Sequence, residues 1–251
     1  MAFTVQLADL IIHMEHIYPE LKRFCKDYLL EEGRPDFTVS WTEEDIEKER
    51  GYMTENEFTP VYLETLVALR KISEVMPSYD RFLMHGAVIS YDNNAFMFTA
   101  PSGTGKSTHI RLWKKYLGDK VGIVNGDKPF LSLETDAQAK VTANAYGTPW
   151  AGKENWQRNC AYPLKGICFL QRGTHNTIRR LEPSECLSWI FKQVYLPSNA
   201  DAAGKTLELI DTLIQNVPIY MLECDMSEEA VRCSFEAMTG LSYDNTKNLA
   251  T

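Results

Sequence analysis

A chain of 251 residues is long enough for one sizeable α/β domain with a smaller appendage. Its 44% hydrophobic and 24% charged residues are those of an ordinary globular protein, and a net charge of −8 argues against nucleic acid as a general partner, since a phosphate backbone demands a basic face. Six scattered cysteines without a Cys-x-x-Cys pair, no basic-then-apolar opening and no apolar run of membrane-spanning length lead to the expectation of a cytoplasmic protein with no membrane partner.

In chain order, Phe3 to His16 has room for one or two strands, and Pro19 to Glu31 has helical periodicity with Leu21, Phe24, Cys25 and Tyr28 on one face. Gly33-Arg34-Pro35 breaks that pattern, Asp36 to Trp41 alternates like a strand, and Thr42 reads as an N-cap followed by acids. Tyr62 to Val75 carries the apolar stripe of a helix. Residues 1–78 thus form an α+β region without a catalytic signature, and residues 79–240 form the second unit. Leu83 to Ser90 and Ala95 to Thr99 are β-rich and joined by a turn at Tyr91-Asp92-Asn93-Asn94.

Strands follow at Val121–Val124, Phe130–Leu133, Ala139–Ala143, Gly166–Leu170 and Ile219–Leu222, with helices at Pro183–Val194, Ala203–Asn216 and Ser227–Met238. Residues 241–251 read as a polar tail that frays. Many strands come in adjacent pairs with no helix between them. The expected fold is therefore α/β with α+β character, a mixed sheet at the core and helices around it.

Between the strand ending at Ala100 and the helix starting near Lys106 lies Ser102-Gly103-Thr104-Gly105-Lys106-Ser107-Thr108. Strand, glycine loop and helix in that order form a phosphate-binding loop. Glycines let backbone N–H groups turn toward phosphate oxygens, Lys106 reaches the β- and γ-phosphates, and Ser107 offers a hydroxyl to Mg²⁺. The expected ligands are ATP and Mg²⁺, with Mn²⁺ as a substitute. The usual loop opens on glycine where this one has Ala100, a position strained for alanine if the backbone there is left-handed.

Asp127 ends an apolar strand, where an acid that holds Mg²⁺ belongs. The other reading is a turn aspartate in Asn-Gly-Asp. His85 is placed on the strand beside the one feeding the loop, as a metal ligand, phosphate contact or proton carrier, against the alternative of a packed core histidine. Gly147 to Glu154 is a shaped loop that either displays Lys153 to a transferred phosphoryl group or packs Trp150. Arg172 either complements the γ-phosphate or is solvated, and Arg111 reads as a surface residue.

These motifs resemble the HPr kinase/phosphorylase and PEP carboxykinase group. Ser102-Gly103-Thr104-Gly105-Lys106 is similar to the carboxykinase loop, and His85-Gly86-Ala87-Val88 to the HPr kinase strand. The resemblance covers Leu83 to Leu133 firmly and the rest to the C-terminus loosely. It is closest to short bacterial HPr-kinase-like proteins, some of them associated with tailoring of ribosomally made peptides. It implies an ATP-dependent, Mg-requiring phosphotransferase acting on a hydroxyl of a peptide, protein or small molecule, with room for a homo-oligomer. HPr kinases carry two adjacent aspartates in the turn, and here the first is Gly126. That departure keeps a nucleotide-binding regulatory protein with weak transfer as an alternative. Carboxykinase-like chemistry ranks last.

Overall fold

Turn chemistry sets the first layer. β1 (Ala2–Leu7) and β2 (Leu10–Glu15) pair antiparallel around Ala8 and Asp9, both at positive φ. The computed structural model describes residues 1–52 and 58–248. α1 (Glu20–Phe24) is shorter than its periodicity suggests. A 3₁₀ turn at Lys26–Tyr28 replaces the next helical turn and drops Tyr28 into the core.

β3 (Phe37–Ser40) runs parallel to β2 and completes a three-stranded sheet. α2 (Glu43–Gly51) starts at a capping box in which Thr42 and Asp45 bond each other's backbone N–H. α3 (Pro60–Val75) starts at the Thr59 cap with proline in its first turn.

A second, larger sheet follows. β4 (Arg81–Leu83), β5 (Ala87–Tyr91) and β6 (Asn94–Thr99) replace the expected pair of strands. β4 pairs with the later strand Phe130–Thr135, whereas β5 pairs with β6. The break falls at Gly86, which crosses so close to β6 that a Cβ there would lie 3.0 Å from the Phe98 carbonyl oxygen. β5 and β6 turn through Asp92 and Asn93, both left-handed, as the Asx-rich turn requires.

α4 (Lys106–Leu117) leads to β7 (Val121–Asn125), and β8 (Phe130–Thr135) and β9 (Val141–Tyr146) form a hairpin. β10 (Ala161–Arg172) is long and irregular between Leu164 and Gly166. Its start pairs with β9 antiparallel, and the remainder pairs with β6 and β12 in parallel. β11 (Thr177–Arg180) precedes α5 (Pro183–Ile190) and α6 (Ala200–Asn216). β12 (Ile219–Cys224) pairs with β11 and β10, and α7 (Glu228–Thr239) and α8 (Tyr243–Asn248) end the described chain.

The fold is α/β, with a nine-stranded mixed sheet. Alternation along β10 divides its two faces: Cys168 and Leu170 pack with Trp113 of α4 and Phe235 of α7, while Ile167 and Phe169 pack with Ile190 of α5 and Ile210 of α6. The first layer shares its core with this sheet through Leu83, Phe130, Tyr146 and Trp150. The segment expected to fray is helical through Asn248, because Tyr243 is fully buried against Phe235 and its hydroxyl meets Glu228 at 3.0 Å. Among the described residues no helix is long and apolar enough to cross a membrane.

Candidate active site

The loop between β6 and α4 takes its shape from two glycines. Gly103 (φ 78°) and Gly105 (φ 127°) hold the positive-φ positions, and the side where each would carry a Cβ is open space. Ala100 has no positive φ, so alanine there is unstrained. Its carbonyl accepts Lys106 Nζ at 3.0 Å, which folds the lysine back across the loop.

α4 has no side-chain cap, as α1 and α7 have none, whereas Thr42, Thr59 and Asn199 cap α2, α3 and α6. Its first-turn N–H groups therefore point out of the helix unpartnered by a cap, with the positive end of the dipole behind them. Ser102, Ser107 and Thr108 make no side-chain hydrogen bond among the described residues.

Asp127 lies across from Lys106. The turn that carries it is built by Asn125, whose Oδ1 accepts the Asp127 and Lys128 N–H groups at 2.8 Å each. Asn125 Nδ2 donates to the Thr148 carbonyl at 3.0 Å, and Thr148 Oγ1 donates to the Lys128 carbonyl at 2.7 Å. Both Asn125 and Thr148 are fully buried. Burial is the strongest influence on the Asp127 carboxyl and would raise its pKa. The hydrogen bond from His85 and the charges of Lys128, His85 and Lys106 outweigh it and hold the carboxyl below the usual range. Burial lowers the Lys106 ammonium from its usual value, with Asp127 opposing.

His85 sits in the link between β4 and β5 rather than on a strand, a correction to the expected placement. The link leaves its ring free of the sheet. Nε2 lies 3.1 Å from Asp127 Oδ1 and Nδ1 lies 2.9 Å from Gln193 Oε1. The backbone is pinned as well: the Gly86 N–H donates to the Asp127 carbonyl at 2.9 Å, and the Thr99 hydroxyl donates to the His85 carbonyl at 2.7 Å. The ring thus orients Asp127 Oδ1, while Oδ2 makes no hydrogen bond among the described residues.

The other expected residues divide. Arg172, at the end of β10, reaches the loop: Nε donates to the Thr104 carbonyl at 3.2 Å and Nη2 to the Gly103 carbonyl. Lys153 is exposed, with no carboxylate partner among the described residues. Trp150 is packed, and its Nε1 donates to the Thr65 carbonyl at 2.7 Å. The neighbouring loop still touches the site, because a Cβ on Gly152 would lie 3.6 Å from Asp127 Cγ and 3.9 Å from Glu154 Oε2. Glu154 is thus a second carboxylate beside Asp127, and Arg111 holds it at 3.3 Å. Gly126 has no room for a side chain, since a Cβ would lie 2.5 Å from the Ala151 carbonyl oxygen.

Sequence reasoning did not single out Asn125, Lys128, Thr148 or Gln193. Only Asn125 left a trace, in the Asx-turn pattern Asn-Gly-Asp-Lys.

A cavity of about 520 Å³ adjoins the loop, walled by Thr108 and Leu112 of α4, Arg172, Cys224 and Met226. Below it His109 is fully buried. Its Nε2 lies 3.0 Å from Ser234 Oγ, its Nδ1 is without a partner, and burial pushes its pKa down to about 3.

A family model described as "SynChlorMet cassette protein ScmC" matches residues 54–231. The chain belongs to this ScmC family. The matched span of this ScmC-family chain holds every residue of the site from His85 to Arg172. No curated protein matches the sequence. Among solved structures, the Hpr(Ser) kinase/phosphatase from Coxiella burnetii is similar at 12% identity and a TM-score of 0.33, over 66% of this chain and 97% of that one.

Proposed function

We propose that this protein binds ATP with Mg²⁺ and transfers a phosphoryl group to a hydroxyl. One observation carries the reading: a long helix left uncapped behind two positive-φ glycines, with Lys106 folded across the loop and within reach of the Asp127 charge. The residues suit the metal complex. Among the described residues no cluster of three potential metal ligands exists. Mg²⁺ bound with a nucleotide needs only one or two protein groups, because phosphates and water fill the rest of its shell. Ser107 and Asp127 Oδ2 are the groups to hold it, and the bound ion would neutralise charge on the transferring phosphoryl group.

The chain's own residues do the positioning. The turn of α4 and Lys106 hold the phosphates, and the 520 Å³ cavity beside Thr108 takes the nucleoside. Arg172 braces the loop through its carbonyls. His85 holds Asp127 in orientation. Phosphoryl transfer is largely positioning and charge neutralisation, so one acid in the turn suffices for the chemistry, and Glu154, on the same loop side of Gly152 as Asp127, is a second carboxylate to assist.

Mg-ATP should raise the melting temperature of the wild type, and Lys106→Ala should abolish the rise. Ligand at a hundred times its Kd adds about 2.7 kcal/mol. No stabilisation of a folded wild type at millimolar Mg-ATP would overturn the proposal. A second reading, nucleotide binding with little turnover, is favoured by the closed space at Gly126. Incubation with labelled ATP and acceptors separates the two.

A further inference from the structure

We infer that the groove opening at His85, beside Asp127, is the acceptor site, and that it takes an acidic polypeptide segment. The inference rests on the phosphotransferase reading. The groove, about 370 Å³, is lined by His85, Lys128, Lys192 and Tyr195 together with Leu66 and Leu83.

Its position follows from contacts already described. The nucleotide loop leads to Lys106, Lys106 and Asp127 act on each other, His85 touches Asp127, and the groove opens at His85. The groove shares no wall residue with the nucleotide cavity, so its occupant would reach the His85–Asp127 pair by a separate approach, as an acceptor hydroxyl must.

Charge narrows the occupant. The protein as a whole is acidic, with a net charge of −8. Yet among the described residues neither Lys128 nor Lys192 forms a salt bridge: Lys128 acts on Asp127 through its charge alone, and the Lys192 ammonium lies 5.0 Å from the centre of the Trp189 ring. The remaining cation, Arg70, is neutralised by Glu49 through two bonds of 2.8 Å and lies between the Tyr52 and Tyr195 rings. Two ammonium groups with no bonded carboxylate, in a groove also lined by leucines, suit Asp or Glu beside an apolar residue.

Surface apolarity favours a polymer over a small molecule. Tyr52, 69% exposed, covers Arg70 at the rim, and Phe191 and Leu196 stand exposed on either side of the Lys192–Tyr195 segment. Large apolar groups left in water around a groove mark a surface that another chain covers.

The test uses the full chain and a library of short random peptides with a fixed central serine. Wild-type protein should retain peptides enriched in Asp and Glu around the serine. Lys192→Glu, checked for a normal melting curve, should lower that enrichment about tenfold. Retention without acidic preference, or an unchanged preference in folded Lys192→Glu, would overturn the groove assignment alone, provided Mg-ATP still stabilises the wild type. Failure of Mg-ATP to stabilise the wild type would remove the phosphotransferase reading and the acceptor role with it.

Discussion

Two carboxylates, one buried and one half-buried, have opposite surroundings. Glu64, in the first layer, is fully buried and fully used: it accepts from Ile17 N at 2.6 Å, Tyr18 N at 3.1 Å and Trp41 Nε1 at 2.9 Å. Asp127 spends one oxygen on His85 and keeps the other free, with Lys106 and an uncapped helix nearby. A polar group whose partners are all internal holds a fold together. One left half-satisfied at the mouth of a loop is held ready for something from outside.

Glu64→Ala should break the first case most visibly. Three donors, that of Trp41 buried and those of Ile17 and Tyr18 partly so, would lose their acceptor, at about 1–3 kcal/mol each. Urea unfolding should show a loss of at least about 3 kcal/mol, while Mg-ATP still stabilises whatever remains folded. A loss below about 1 kcal/mol would mean water replaces the carboxylate and the layer is looser than its packing suggests.

Gly126→Asp probes the crowded side of the second case. The 2.5 Å approach to the Ala151 carbonyl predicts a destabilisation of about 1–3 kcal/mol and no gain in turnover. A stable variant with faster transfer would show that the loop yields and that a second acid belongs there.

Asp127→Asn should weaken Mg-dependent nucleotide binding about tenfold, equivalent to about 1.4 kcal/mol, and leave binding in EDTA nearly unchanged. The same variant tests the acid limb. A depressed carboxyl contributes stability that is present above its unfolded pKa, near 3.8, and lost as pH falls through its lower folded value. Wild type should therefore lose stability relative to Asp127→Asn only below about pH 4. Parallel curves across that range would place the carboxyl outside the His85 and lysine field. Last in size, Thr42→Ala removes one cap in the first layer. It should cost about 1 kcal/mol in urea unfolding with no change in Mg-ATP affinity, and a change in affinity would mean that the layer and the loop are coupled.

Much of the candidate site was legible because it depends on neighbours in sequence. Gly103, Gly105, Lys106 and Ser107 act through local backbone geometry, and their pattern reads directly. Lys128 and Gln193 were invisible for the opposite reason. Gln193 reaches His85 across 108 residues of chain, and no periodicity or spacing marks such a pair. The Trp150 loop was ambiguous because its glycines and proline suit display and packing equally, and the carbonyl of Thr65 decided for packing.

By itself the sequence determined the elements with strong local codes: the β5–β6 turn at Asp92-Asn93, the Thr42 cap, the glycine-shaped loop before α4 and the strand-forming runs of the mixed sheet. Each rests on a φ preference, a side chain reaching its own backbone, or a run of β-formers, and none needs the rest of the chain. Tertiary structure decided the break at Gly86, the placement of His85 in the link it creates, and the closed space at Gly126. Those depend on how near one backbone comes to another, a distance set only when the two sheets and their helices pack together.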